Sequence, residues 1–262
     1  MRPAIFILIL LYILNIGCKD DEIVFNSECY PENLRSGVIA AYAFNNGSLA
    51  NNTSSGSDLV LNNSPIPTTD RNGNLNCAFY FNRNLDQYLS TTETSFLNDL
   101  KEISISLWYE PFDSSGNGGS LEVLMGRNTS QTRCPDRRGE WSLGLYDCRR
   151  PVFGHNNSVW ALEFLPIPPA SCNDLIYAYT GSWHHVVATY KNETIKIYLN
   201  GIFQDSVSGN GSCTNLHLAE DIGDLFIGRS YTGKIDDILL YNREISSSEV
   251  LSLYENDPCC QP

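Results

Sequence analysis

From Trp183 to Val207 the pattern of apolar and polar positions is that of two strands, a hairpin turn and a returning strand. Trp183–Tyr190 is aromatic and β-branched, and Thr194–Leu199 sets Ile195, Ile197 and Leu199 against Lys196 and Tyr198. Successive side chains of a strand point to opposite faces, so this pattern predicts strands with one apolar face. Asn200-Gly201 supplies two residues that tolerate positive φ, as a type I′ hairpin turn requires, and Ile202–Val207 runs back. Shorter apolar runs at Val38–Phe44, Ile103–Trp108, Leu225–Gly228 and Gly233–Arg243 have the same character. Clusters of turn-forming residues at Asn45–Ser57, Asn62–Asn74, Asp113–Ser120 and Ser208–Ser212 punctuate the chain. Thr94–Leu100 has room for one helical turn. The clearest helix is terminal: Ser246 with Glu249 three residues on makes a capping box, and Val250, Leu251 and Tyr254 fall on one face. The pattern predicts an all-β, two-sheet antiparallel sandwich closed by a short C-terminal helix.

The words of these segments carry a resemblance. Gly181–Gly201 (GSWHHVVATYKNETIKIYLNG) is similar to a segment of the laminin-G-like jelly rolls in the concanavalin A-like lectin/glucanase superfamily. Val38–Phe44 with its Asn/Gly/Ser turn resembles the opening strand, and Thr69–Phe81 followed by Asp86–Leu89 the next strand pair. Ile103–Trp108 resembles the Ser-Ser-Trp strand; Leu225–Gly228, Gly233–Arg243 and Glu244–Tyr254 resemble the closing strands and terminal helix. The likeness runs over roughly residues 37–255 and implies a jelly-roll sandwich, a fold that carries both binding modules and glycan-cleaving enzymes.

The N-terminus reads as an export signal. Arg2 precedes the apolar run Ala4–Leu14, which is too short to span a bilayer, where about 20 residues are needed. Gly17-Cys18 resembles a bacterial lipobox, with Asn15 where that motif usually has Leu, and Lys19–Glu22 resembles the acidic tag of Bacteroidetes-type surface lipoproteins. The expected organisation is a signal peptide at 1–17, a polar tether at 18–35 and the laminin-G-like domain at 36–262. Cys18 is then the lipidated residue on an outer-membrane, cell-surface protein; simple secretion is the alternative. Lipidation of Cys18 leaves eight of the nine cysteines, an even set suited to disulfides in an oxidising compartment. The expected pairs are Cys134–Cys148 and Cys172–Cys213, with Cys29 and Cys77 sharing Cys259 and Cys260. Eight N-glycosylation sequons also permit a glycosylated eukaryotic secreted protein, though a chain this rich in Asn, Ser and Thr produces such triplets by chance. The formal net charge of −13 argues against nucleic acid, whose binding needs clustered Lys and Arg.

Candidate chemistry is sparse. Six of the twelve arginines lie in Arg127–Cys172, a stretch longer than in the family's compact form. Arg137, Arg138, Arg149 and Arg150, with Trp141, form the candidate ligand-binding set, suited to carboxylate, sulfate or phosphate groups; the alternative is a hairpin whose arginines pair with local acids. The Glu-x-Asp-x-x-Glu strand of the related glucanases is absent, so a pair of catalytic carboxylates is not expected. His184 and His185, adjacent on a strand, point to opposite faces and cannot share a ligand. Simple alternation puts Asp236 on the face of Ile238 and Leu240, a costly place for an unpartnered carboxylate. The resemblance implies one Ca²⁺ between the opening turn and the closing strand, with Asp236, Asn52 and carbonyls of Asn45–Gly47 as donors; pairing of Asp236 with an arginine or backbone N–H groups is the alternative. The expected function is a non-catalytic exported binding module for a glycan or an extracellular protein, held to a membrane through lipid only. A glycan-cleaving hydrolase and a purely adhesive surface protein are the other readings.

Overall fold

A computed structural model of the chain describes residues 29–112, 121–128, 140–146, 148–155, 181–209 and 223–260. Within them two antiparallel sheets stack as a sandwich. The larger runs β12 (Ile202–Ser208), β11 (Thr194–Leu199), β10 (His184–Lys191), β6 (Glu102–Pro111), β14 (Gly233–Tyr241), β4 (Ala78–Phe81) and β3 (Ile66–Thr68), with β1 (Val38–Tyr42) also pairing β14. The smaller runs β2 (Val60–Asn62), β5 (Tyr88–Thr91), β13 (Asp224–Ile227), β7 (Glu122–Asn128), β8 (Trp141–Tyr146) and β9 (Arg150–His155). Consecutive strands β4 and β5 lie in different sheets, so Thr69–Phe81 and Asp86–Leu89 do not pair with each other.

Period-two alternation builds the core between the sheets. On β6, Ile103, Ile105, Leu107 and Tyr109 point inward against Leu124, Leu143, Leu225 and Ile227 of the smaller sheet, while Ser104, Ser106, Trp108 and Glu110 face the other way. Each inward side chain contributes about 1.5–3 kcal/mol by leaving water. The predicted turn forms at Asn200-Gly201, with φ of 49° and 78°.

A second core covers the outer face of the larger sheet. Helix α1 (Ser247–Glu255) buries Val250 and Leu253 there, with Tyr30 and Leu34, over Val187, Tyr198, Leu239 and Tyr241. Its capping box is present: Ser246 Oγ accepts from Glu249 N and Glu249 Oε2 accepts from Ser246 N at 2.7 Å. Leu251, expected inside, is exposed, and Leu253 takes the buried position. The segment from Cys29 is part of this packed layer rather than a free tether, because disulfides join Cys29 to Cys259 and Cys77 to Cys260.

The closing strand departs from simple alternation. Its register with β6 shifts between Asp236 and Leu239, and Asp237 takes a φ of 44°. This is a β-bulge: one extra residue re-aims the side chains on either side of it. Ile235, Ile238 and Leu240 therefore all reach the main core, and Asp236, opposite Trp108, faces outward. At the same point the outer neighbour of β14 changes from β4 to β1.

Candidate functional site

On the outer face of the larger sheet, beyond the part covered by α1, cross-strand pairing lines up a row of side chains. Ile66 lies opposite Tyr80, Tyr80 opposite Lys234, and Lys234 opposite Glu110. Trp183 immediately precedes β10, whose first pair is His184 with Tyr109, and so falls beside Glu110. The Gly181 N–H donates to Pro111 O at 2.9 Å and the Phe112 N–H to Thr232 O at 3.2 Å, which fixes the segments that carry both aromatic residues. Lys234 Nζ sits 2.8 Å from Glu110 Oε2, 3.4 Å from Thr69 Oγ1, and 5.3 and 5.7 Å from the ring centres of Phe112 and Trp183. Tyr80 meets Phe112 edge to face at 5.7 Å. Phe112 is 43% exposed, Tyr80 and Trp183 are half-buried, and Ile66 is exposed. The result is an aromatic platform around one internally neutralised ion pair.

One row further along the sheet the chemistry is sealed. Arg71 Nη1 lies 2.6 Å from Asp237 Oδ2 and 3.6 Å from Asp236 Oδ2, Nη2 donates to Asn256 O at 3.0 Å, and the guanidinium carbon sits 4.3 Å from the Trp108 ring centre. Tyr254 of α1 stacks on Trp108 at 5.6 Å. Asp236 Oδ1 accepts from the Asp237 N–H, and the Asp237 carboxylate accepts from the Cys259 N–H. Burial pushes both carboxyls up, the charge of Asp237 pushes Asp236 further, and Arg71 opposes the shift in each.

This cluster does not fit the Ca²⁺ that the resemblance implied. Calcium takes six to eight oxygen ligands. Here the Asp237 carboxylate is taken by the Arg71 guanidinium and the Cys259 N–H and Asp236 Oδ1 by the Asp237 N–H, while Asp236 Oδ2 has the Arg71 guanidinium at 3.6 Å and no hydrogen bond. Asn52 makes no hydrogen bond with either carboxylate and lines a small pocket with Cys29, Tyr30, Ala41, Ala43, Asn45 and Cys259. Among the described residues no group of three or more His, Cys, Asp or Glu is placed to hold a metal.

The expected ligand residues are also placed differently. Trp141 is 1% exposed in the main core, and Arg149, 2% exposed, lies 3.7 Å from Glu122, which Arg83 approaches at 3.6 Å from another side. Arg150 is buried as well. All three side chains are thus buried, Arg149 against Glu122 and Trp141 in the main core. Cys148 is disulfide-bonded. Arg137, Arg138, Cys18, Cys134, Cys172 and Cys213 lie outside the described residues. His184 and His185 do face opposite ways: His184 lies beside Tyr109, and His185 Nε2 is 2.8 Å from Ser106 Oγ. None of Tyr80, Phe112, Trp183 and Lys234 is among the ligand residues expected from the sequence. The available signal was polar-face aromatics on strands whose apolar faces were already accounted for.

The laminin-G-type model of the concanavalin A-like lectin/glucanases superfamily matches residues 82–251. The chain belongs to this family. No curated protein matches it. Among solved structures it is similar to domain 4 of AbnA, a GH43 extracellular arabinanase from Geobacillus stearothermophilus, solved with arabinotriose. That likeness has a TM-score of 0.57 at 16% identity and covers 83% of this chain and 98% of that one. It is also similar to the binding domain of botulinum neurotoxin DC. In complex with SialylT the TM-score is 0.62 at 13% identity, covering 85% and 52% of the two chains; in complex with rat synaptotagmin II it is 0.60 at 12%, covering 84% and 51%. The chain thus spans about half the length of the neurotoxin domain, and the shared feature is the fold.

Proposed function

We propose that this protein is a non-catalytic, exported carbohydrate-binding module that holds a glycan on the outer face of its larger sheet. The observation that carries the reading is the platform of Tyr80, Phe112 and Trp183 around Lys234. Sugar C–H faces pack on aromatic rings, and a few placed polar groups orient the ligand. Tyr80 is held in β4, and the backbone hydrogen bonds at Gly181 and Phe112 fix the segments that carry the other two rings, which keeps the ordering cost on binding low. Glycan ligands of the AbnA domain and of the neurotoxin domain's sialylated complex support a role of this kind for the fold. A hydrolase reading has less support: Glu110 is held by Lys234, and Glu122 lies between Arg83 and Arg149, so the carboxylates at this end are committed to cations. The disulfides favour an oxidising compartment, and Cys18 is proposed as a lipid anchor at the cell surface, which detergent partitioning of the native protein reads out.

The test is a glycan array probed with the oxidised protein. Wild type should bind, and Phe112→Ala and Trp183→Ala should each weaken binding about tenfold or more while leaving the melting temperature nearly unchanged. A silent array, or variants that bind as wild type does, would remove the reading. One observation favours a second: Phe203 of β12 and Leu251 of α1, on two elements that touch, are both exposed apolar side chains suited to an extracellular protein partner.

A further inference from the structure

We infer that this face selects neutral oligosaccharides of several sugar units and discriminates against acidic ones. The inference deepens the glycan-binding reading above and rests on it. Its basis is the charge at the centre of the platform. Lys234 places a cation over the rings of Phe112 and Trp183, and Glu110 answers it at 2.8 Å. The Lys234 ammonium still has three N–H donors, enough to serve Glu110, the Thr69 hydroxyl at 3.4 Å and a ligand oxygen. A hydroxyl or ring oxygen of a neutral sugar accepts such a bond without disturbing the pair. A carboxylate or sulfate must instead compete with Glu110 for the same cation and approach a second negative charge while doing so.

Among the described residues, Arg83 and Arg149 near this end both lie against Glu122. The chain as a whole carries −13, which opposes the approach of any polyanion over a Debye length of about 8 Å at physiological salt. The remaining rim is apolar or aromatic: Ile66, Tyr80, Phe112 and Trp183. Its length sets the ligand's size. From Tyr80 on β4, across β14 and β6, to Trp183 at the start of β10 is three inter-strand steps, about 14 Å at about 4.8 Å each. That is too long for a single pyranose to touch both ends.

The experiment titrates the full oxidised protein with neutral oligosaccharides of increasing length and with uronic-acid-containing and sulfated oligosaccharides, each at low and raised ionic strength. Neutral ligands should bind with an affinity that rises with length until the platform is spanned and that is insensitive to salt. Glu110→Gln should admit acidic oligosaccharides, with salt-sensitive affinity, by releasing the charge of Lys234. If that variant does not fold, Lys234→Met serves: it should weaken neutral binding several-fold and admit no acidic ligand. Preference of wild type for acidic ligands, screened by salt, would overturn this inference and leave the glycan-binding reading standing. Failure to bind any oligosaccharide would overturn both.

Discussion

His155, His184 and His185 are all buried, and burial holds each imidazole neutral. It pushes His155 down to about 3 and His184 down to about 4; for His185, burial with the nearby Arg71 charge gives about 3. His155 stacks on Tyr190 at 3.8 Å, so its apolar contacts are made without the charge. These values lie below the ordinary 6.5, so the unfolded chain takes up protons first as pH falls. The stability tied to the neutral rings is fully present above about pH 6.5 and is lost as pH drops through the folded values near 4 and 3. Asp236 and Asp237 act in the opposite sense: their folded values are raised, and their contribution is lost as pH rises through them. The melting temperature should therefore fall between pH 6.5 and 4, with a slope approaching three protons offset by these two carboxyls. His155→Phe should shed one proton from that slope in a thermal-melt series. An unchanged slope would mean that His155 is not held neutral in the fold.

At the scale of the element, the bulge in β14 decides what the carboxylates do. It turns Asp236 and Asp237 out of the main core and delivers both to one guanidinium, from a residue 166 positions away. Removing one partner of a buried ion pair leaves an uncompensated charge, which costs about 3–5 kcal/mol. Arg71→Met should lose stability of that order by chemical denaturation, more at pH 8 than at pH 5, because acid protonates the stranded carboxyls. Asp236→Asn and Asp237→Asn added to Arg71→Met should recover part of the loss. The same arrangement predicts that calcium and chelator leave the wild-type melting temperature unchanged. A rise with calcium concentration would reveal a cation site that this cluster does not offer.

Across the whole molecule, the described chain ends are clasped together. Cys259 and Cys260, adjacent after α1, reach Cys29 and Cys77 over sequence separations of 230 and 183, and Asp237 accepts from the Cys259 N–H beside them. Cross-links closing loops of this size restrict the unfolded chain, an effect of typically about 2–4 kcal/mol each. The Cys259→Ala/Cys260→Ala variant should accordingly unfold at clearly lower denaturant concentration than wild type, and α1 should lose amide-exchange protection first. Equal protection in the variant would show that hydrophobic contacts alone hold the helix to the sheet.

Much of the architecture was legible along the chain, because strand alternation, a type I′ turn and a capping box are relations between residues a few positions apart. Ile195, Ile197 and Leu199 needed no distant partner to declare an apolar face, and Ser246 with Glu249 marked the helix on their own. Linked words such as Gly181–Gly201 extended that local signal to a family. What lay beyond it was decided by which strands become neighbours. Tyr80, Phe112, Trp183 and Lys234 meet only because β4, β14, β6 and β10 are adjacent, an order that no local period encodes. The bulge at Asp236–Asp237 breaks the very alternation from which the face of Asp236 was read, and Arg71 finds those carboxylates only through the fold. Trp141 and Arg149 read as ligand groups by composition, yet tertiary packing buries one in the core and sets the other against Glu122. The sequence by itself determined the elements, since they are short-range; the binding face and the charge balance belonged to the tertiary structure, since both are made of contacts across strands.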